Sequence, residues 1–433
     1  MSSAFTSLRV RNYRLFASGQ VVSNTGTWMQ RTAQDWLVLD LSRNSGLALG
    51  IVTGLQFLPV LLFGLYGGVL ADRYDKRKLL VATQVSMGLL ALLLGILDVT
   101  GTVELWHVYV LAAGLGLATA FDTPTRQAFV NEMVGERDLP NAVSLNSATF
   151  NSARVVGPAV AGLLISGVGT GWVFLLNAAS FVAVIVGLKR MRAEELRPAN
   201  RTPRAKGQLR EGLSYVRQRD DLLLPIVLVG LVGMFGLNFQ VTIALMAKVT
   251  FHRGADSYGL LGSLLAVGSL VGSLISAQRS GRGVAPRQRT YLVAAFLFGV
   301  FEAVAGLMPT YLTFGLMLLP TGLAALLFST AANTTVQLAA GPQFRGRVMG
   351  LYILVFLGGT PIGAPVIGVL AQHLGPRSSL TVGGAVSALS AVACAAYFAR
   401  RRLVEPALRG RITAAEAARS TEMSEELVAT GDA

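Results

Sequence analysis

A short charged stretch, Gly68-Val69-Leu70-Ala71-Asp72-Arg73-Tyr74-Asp75-Lys76-Arg77, decides the fold because it separates two long apolar segments. The segment before it covers about residues 47–71, and the segment after it covers about 79–99. Each segment is long enough to cross a hydrocarbon layer of about 30 Å, which requires about 20 helical residues. The charged stretch is therefore predicted to be a tight connection between two membrane-spanning helices, on one side of a bilayer.

The same alternation continues along the chain and predicts about twelve membrane-spanning helices. Of the 433 residues, 52% are hydrophobic and 14% are charged, whereas a soluble domain is about 25% charged. The predicted fold class is therefore an all-α membrane protein. Its predicted spans are residues 15–39, 47–71, 79–99, 105–123, 142–166, 171–188, 222–247, 258–277, 290–308, 311–335, 348–371 and 378–399.

The basic residues predict how these helices are oriented. The net charge is +14, but the lysines and arginines sit in short clusters between the apolar runs, which favours a membrane protein over a nucleic-acid-binding one. With the N-terminus inside, 31 of the 37 basic residues fall in inner segments, and only Arg43, Arg253 and Arg377 fall in outer loops. The positive-inside rule then predicts a multi-pass protein of a bacterial inner or plasma membrane with both termini in the cytoplasm. No cleavable signal peptide is expected before the first span.

A basic segment divides the chain into two predicted halves. The predicted boundaries are an N-terminal six-helix half at 1–190, a cytoplasmic basic linker at 191–221, a C-terminal six-helix half at 222–400 and a cytoplasmic tail at 401–433. In the linker, Leu209, Leu213 and Val216 repeat at helical spacing, which fits either a short interfacial helix or a solvated linker.

The two halves share features that stand about 205 residues apart. This constant offset predicts an internal duplication, with the halves related by an axis along the membrane normal. The paired features are Gly68 and Arg73 with Gly272 and Arg279, and Gly157, Pro158 and Gly162 with Gly363, Pro365 and Gly368.

These features resemble the major facilitator superfamily of transporters. Residues 68–77 match its signature between spans 2 and 3, except that Asp75 stands where the family has a second glycine. The resemblance implies a gate loop formed by Gly68, Asp72, Arg73 and Arg77, in which Asp72 and Arg73 stabilise the outward-facing state. The alternative is that the basic residues of this loop only fix the topology.

Span 5 resembles the Gly-Pro motif of the antiporter branch through Gly157, Pro158 and Gly162, which would serve either as a pivot or as plain helix packing. The stretches 19–29, 121–126 and 139–154 are similar to a subgroup of enterobactin-exporter-like and macrolide-efflux-like proteins. This resemblance implies alternating access and proton-driven export of a bulky, partly apolar small molecule, such as a drug, a siderophore or a natural product.

Span 1 carries a polar stripe that is predicted to line the central cavity or the interface between the halves. Arg31 and Asp35 lie one helical turn apart in it and could form a structural ion pair. Alternatively, Asp35 would take up a proton and Arg31 would bind an anionic group of the substrate. The stripe consists of Gln20, Asn24, Thr27, Arg31, Gln34 and Asp35.

Charges inside other spans supply further candidates, because they are expensive in a membrane and usually functional. Glu302 in span 9 is the second candidate for proton coupling, unless it reaches water on the outer side. Arg154 in span 5 is predicted to pair with Asp122 or another carboxyl, and Asp122 is predicted to be a helix N-cap. The candidates for the cavity are Gln20, Asn24, Trp28, Arg31, Gln34, Arg154, Asn238 and Gln240.

Several classes of protein are disfavoured by the same residues. One cysteine and three distant histidines predict no disulfide framework and no metal site, and no phosphate-binding loop or catalytic constellation is found. The sequence thus predicts a monomer that is not an enzyme and has no cofactor, whose partners are the lipid bilayer, a small-molecule substrate and protons, without nucleic acid. Two alternatives stay open: a nutrient importer or facilitator on the same fold, and a non-transporting membrane receptor or scaffold.

Overall fold

The computed structural model describes residues 3–197, 208–283 and 286–400, and this part of the chain is almost entirely helical, with no strand in it. The predicted tail at 401–433 lies outside the described residues. The helices are α1 (Arg11–Leu41), α2 (Gly46–Arg73), α3 (Lys76–Val99), α4 (Leu105–Val168), α5 (Thr170–Lys189), α6 (Gln208–Arg217), α7 (Asp220–Phe235), α8 (Phe239–Leu245), α9 (Ala255–Gly281), α10 (Gln288–Leu307), α11 (Tyr311–Ala339), α12 (Arg345–Leu374) and α13 (Pro376–Arg400).

Most predicted spans agree with these helices to within a few residues. By length and hydropathy, ten helices of the described part could cross a membrane. Helix α1 is not among them because its polar stripe lowers its hydropathy, and α4 counts once although it has 64 residues, far more than one span needs. The number of twelve spans therefore stays a prediction. It is reached only if α1 is included and α4 is counted as two spans, one on each side of Gly135.

Residues 124–141, between the predicted spans 105–123 and 142–166, are also helical. The helix continues through Pro124 and changes direction only at Gly135, whose backbone lies at φ 71° and ψ 176°. The helical turns before this break are tied to their surroundings, because Lys76 of α3 pairs with Glu132 at 2.7 Å. Packing against α3 keeps this segment helical, and the glycine supplies the change of direction.

The predicted span 222–247 is also interrupted. Helix α7 ends at Phe235, α8 begins at Phe239, and a π-helical turn follows over Met246–Thr250. Nearby, the helix predicted in the linker is present as α6, with Val216 buried and Leu213 exposed. The alternative of a purely solvated linker is therefore wrong for residues 208–217.

The apolar core is divided between the two ends of the bundle. The end where α1 begins and α2 stops is called the proximal end, and the end that holds the α1–α2 turn is called the distal end. The distal core is shared, since Leu37 of the N-terminal half and Tyr258 of the C-terminal half belong to one buried cluster. The proximal cores are separate clusters, one around Phe129 and one around Phe328. The two halves are thus joined at the distal end and are separate at the proximal end.

Two similar seams join the halves, α4 against α9 and α2 against α12. In the first seam, a methyl group on Gly259 would clash with the carbonyl oxygen of Pro158. In the second, a methyl group on Gly368 would clash with the carbonyl oxygen of Gly46. Small residues allow helix backbones to approach this closely. The Gly-Pro features that the sequence repeats therefore face the opposite half in both seams.

Candidate functional site

Two arginines and one tryptophan lie together in the N-terminal half. The guanidinium carbon of Arg31 lies 4.9 Å from the ring centroid of Trp28, and that of Arg154 lies 5.8 Å from the same centroid. Phe57 faces Arg31 at 5.8 Å, and Phe150 packs edge-on against Trp28 at 5.7 Å. This group, called the Trp28 cluster, brings together three of the predicted cavity residues.

The ion pairs predicted for these arginines are not formed. Within the described part of the chain, neither Arg31 nor Arg154 has a carboxylate within 4.0 Å. Asp35 is instead buried in the seam between the halves, where its Oδ2 accepts a hydrogen bond of 2.7 Å from the hydroxyl of Tyr258 in α9. The spacing of four residues allowed an Arg31–Asp35 pair, but the carboxylate of Asp35 is hydrogen-bonded to Tyr258 of the other half instead.

Other contacts across the distal end surround this hydrogen bond. Trp36 stacks on Tyr258 with ring centroids 6.2 Å apart. Lys248 pairs with Asp40 and also lies 4.4 Å from the centroid of Trp36. The distal end is therefore closed by polar and aromatic contacts that join α1 to the C-terminal half.

Asp122 anchors a polar network within the N-terminal half, so the prediction that it caps a helix N-terminus is wrong. It is 1% exposed, accepts hydrogen bonds from Thr83 and Gln84 of α3, and pairs with Arg126 at 3.1 Å. Arg126 also donates to the side chain of Gln20 at 2.9 Å. Sequence analysis missed Arg126 as the partner, although its spacing of four residues from Asp122 was a usable signal.

Only some residues of the α1 stripe line a cleft inside the N-terminal half. Thr27, Gln30 and Arg31 line a cleft with about 460 Å³ of empty space, whose other walls include Gln56 and Phe57. The stripe residue Asn24 is half-buried. Gln34 is buried, and its amide nitrogen has no hydrogen-bond partner.

Glu302 lies apart from this cleft, in the C-terminal half. It is 1% exposed, so the suggestion that it reaches water is wrong, and neither carboxyl oxygen has a hydrogen-bond partner. It packs beside Gly236, in the interruption between α7 and α8. There Asn238 is buried and donates to the carbonyl oxygen of Met234 at 2.7 Å, while Gln240 is half-buried. The two predicted proton-coupling residues thus lie in different surroundings.

The charged stretch at the proximal end is only partly engaged. Arg77 donates to the carbonyl oxygens of Leu188 and Lys189 at 2.7 and 2.8 Å, and so caps the C-terminus of α5 in its own half. Asp75 caps α3 by accepting from the backbone of Lys78. This cap supplies a role for the residue that departs from the family signature.

The remaining gate-loop residues are exposed or half-buried. Asp72 and Arg73 are exposed, and the structure gives neither of them a hydrogen bond or an ion pair in the described part; Gly68 is half-buried. Among the predicted pivot residues, Gly157 packs on Trp28, whereas Gly162 packs on the start of α9. The pivot motif therefore contacts both the Trp28 cluster and the opposite half.

Two helical halves that meet at one end, with a polar, aromatic cleft inside the N-terminal half, define a membrane transporter of small molecules, built on the major facilitator fold. A family model described as transmembrane secretion effector matches residues 2–427. The chain belongs to this family of major facilitator transporters, so the expectation that it is not an enzyme is confirmed.

Curated relatives agree with this assignment. The chain is 25% identical to the staphyloferrin A transporter of Staphylococcus aureus, with 90% of this chain and 96% of the relative covered. It is 23% identical to macrolide efflux protein A of Streptococcus pyogenes, with the same shares covered. It is 26% identical to the enterobactin exporter of Citrobacter koseri, with 73% and 75% covered. The resemblance to enterobactin-exporter-like and macrolide-efflux-like proteins is confirmed.

A solved structure supports the fold. A bacterial homologue of the human lysosomal transporter Spinster, in an inward-facing and unoccupied conformation, matches with a TM-score of 0.68 at 15% identity. The match covers 88% of this chain and 94% of that one. The predicted fold class is thereby confirmed.

Proposed function

We propose that this transporter exports a bulky, partly apolar small molecule from the bacterial cytoplasm, driven by protons, through alternating access between its two halves. The observation that carries this proposal is the asymmetry of the bundle, which is closed at the distal end and separated at the proximal end. The basic residues cluster at the proximal end, so the positive-inside rule assigns that end, and both termini, to the cytoplasm. The relatives named as exporters of enterobactin and macrolides favour this direction of transport.

Asp35 is the proposed link between the proton and the change of conformation. Its hydrogen bond to Tyr258 spans the two halves at the closed end. A hydrogen bond to an ionised acceptor is about twice as strong as a neutral one. The proton would enter from outside while the distal end is open, protonate Asp35 and favour release of the substrate. After the distal end closes again, release of the proton to the cytoplasm would restore the ionised Asp35 and its stronger hydrogen bond to Tyr258. Glu302 is the second candidate carrier, within the C-terminal half.

The gate loop is proposed to act in the opposite conformation. Asp72 and Arg73 are exposed while the proximal end is open. Closure of that end would bring them towards the C-terminal half, where basic and polar helix ends are available. In this proposal the protein works as a monomer, since each seam lies within one chain.

The test is gradient-driven movement of a panel of fluorescent dyes and antibiotics into inside-out vesicles that contain the full chain. We expect accumulation that collapses on addition of a protonophore, and Asp35→Asn is expected to abolish it. Asp98→Asn is the matched control, because Asp98 lies near the end of α3 and accepts a hydrogen bond from Thr170 within the N-terminal half.

Four results would count against the proposal. Accumulation that a protonophore does not affect would contradict proton coupling. Full activity in the Asp35→Asn variant would remove Asp35 from the coupling role. Movement only out of the vesicles would favour an importer, and no movement of any compound would favour a receptor or scaffold.

A further inference from the structure

We propose that the Trp28 cluster is a binding site for the anionic group of the transported molecule, and that the substrate class is an aromatic or apolar anion, such as a carboxylate. This inference rests on the proposed function, because it names the class of substrate that the transporter would carry. It depends on the charge balance around Arg31 and Arg154 and on the aromatic rings that surround them.

The first argument is that neither arginine has a carboxylate within 4.0 Å in the described part of the chain, whereas several other cations have one. Lys76 pairs with Glu132 and Arg126 with Asp122 within the N-terminal half. Lys248, next to the distal seam, pairs with Asp40. A charge inside a membrane protein is costly unless it is paired or faces water or a ligand. The two positive charges of the Trp28 cluster are therefore available to an external anion.

The second argument is that Asp35, the nearest acidic residue on the same helix, is hydrogen-bonded to the opposite half and does not pair with Arg31. Asp35 lies one turn beyond Arg31, but Tyr258 from the opposite half donates to its Oδ2 at 2.7 Å. This arrangement holds the carboxylate in the seam and leaves both guanidinium groups over the indole of Trp28. Two guanidinium groups and one carboxylate therefore lie in this region, and their formal charges sum to +1.

The third argument is the shape and surface of the site. Arginine presents a planar set of N–H donors that matches a carboxylate in a bidentate manner. Trp28, Phe57 and Phe150 supply aromatic surface next to these donors. The adjoining cleft is lined by Arg31 and Phe57 together with the polar side chains of Thr27 and Gln56. An anion with an aromatic or apolar body fits this combination better than a hydrophobic cation.

The test compares two dyes with the same xanthene scaffold and opposite charge, carboxyfluorescein and rhodamine 6G. Equilibrium binding to the purified full chain is measured by fluorescence anisotropy. We expect carboxyfluorescein to bind at least tenfold more tightly than rhodamine 6G. Arg31→Gln and Arg154→Gln are each expected to weaken binding of the anion at least tenfold and to leave or improve binding of the cation.

Two further variants separate charge from geometry and from folding. Arg154→Lys keeps the charge and should retain part of the anion affinity that Arg154→Gln loses. Arg289→Gln removes one charge at an exposed position and should leave both affinities unchanged. Thermal unfolding of each variant shows whether the protein is folded, and only variants that melt within a few degrees of the wild type are compared.

Each of three results would overturn the inference. Rhodamine 6G could bind as tightly as carboxyfluorescein or more tightly, carboxyfluorescein could fail to bind, or its binding could be unchanged in both Arg31→Gln and Arg154→Gln. These measurements need no ion gradient, so they are independent of proton-driven export. Proton-driven movement of rhodamine 6G that both arginine variants retain would leave the proposed function standing and refute the anionic class. Anion-selective binding without any gradient-driven movement would support the anionic substrate class and contradict proton-driven export.

Discussion

Replacing Tyr258 with phenylalanine should open the distal end of the transporter. The change removes one hydroxyl group, which donates to Asp35 across the two halves at 2.7 Å. The phenylalanine ring can keep the stacking on Trp36, whose centroid lies 6.2 Å from that of Tyr258. The perturbation therefore tests a single polar contact in the seam.

The expected size of the effect follows from the charge of the acceptor. A hydrogen bond to a charged group contributes about 1.5–3 kcal/mol net, and a neutral one about 1 kcal/mol. With an ionised Asp35, the loss would shift the ratio of closed to open distal ends by about 10- to 150-fold, since about 1.4 kcal/mol corresponds to a factor of ten. With a protonated Asp35, the shift should be only about fivefold. The effect should therefore be larger at high pH than at low pH.

Distances between spin labels measure this shift directly. Labels at Val168→Cys and His373→Cys place one probe on an exposed residue of each half at the distal end. The native Cys394 is buried and is replaced by serine to leave the introduced pair alone. The population of long distances in the Tyr258→Phe protein should exceed that in the wild type, and this excess should grow as the pH is increased.

The matched control is Tyr311→Phe. The hydroxyl of Tyr311 donates to the carbonyl oxygen of Ser257 at 3.0 Å, within the C-terminal half. Loss of this bond should leave the distance distribution unchanged. Equal shifts in the two variants, or no shift in Tyr258→Phe at any pH, would refute the assignment of Asp35 and Tyr258 to the distal closure.

Three other substitutions test separate parts of the argument. Gly259→Ala places a methyl group against the carbonyl oxygen of Pro158 in the first seam, so the same labels should report more of the open distal end with little change in melting temperature. Asp122→Asn removes the charge of a carboxylate that is 1% exposed; it should destabilise the fold by about 1–3 kcal/mol, which thermal unfolding in detergent would reveal as a lower melting temperature. Glu302→Gln replaces an unpartnered carboxyl group and should slow proton-driven movement in inside-out vesicles at least tenfold while the melting temperature is retained; unchanged transport would exclude Glu302 as a proton carrier.

The fold could be predicted well from the sequence because each membrane helix corresponds to a long run of apolar residues. The predicted span 79–99 and the helix Lys76–Val99 show how close this agreement is. The errors occur where polar residues are buried by packing. The predicted spans stop at residue 123 and resume at 142 because residues 124–141 contain charges and prolines, but the helix continues through this segment, where Lys76 of α3 pairs with Glu132.

The candidate site was harder to predict because pairing depends on the other half. The spacing of Arg31 and Asp35 on one helix suggested a local ion pair, and nothing in the sequence of α1 identifies Tyr258 as the competing partner. Helical periodicity did place Trp28, Arg31 and the polar stripe on α1. The contact between Trp28 and Arg154 was not predicted, because it arises from the packing of Gly157 against Trp28.

Because the apolar core is divided, mutations at the two ends of the bundle should affect different properties of the protein. The clusters around Phe129 and Phe328 each belong to one half, so truncation of either ring should weaken folding while the balance between conformations stays the same. The seam residues around Tyr258 and Gly259 contribute to one conformation only. Substitutions there should alter which side of the membrane the cleft opens to, with little loss of folded protein. A mutational survey that measures both abundance and transport should therefore find two classes of damaging variant, at opposite ends of the same bundle.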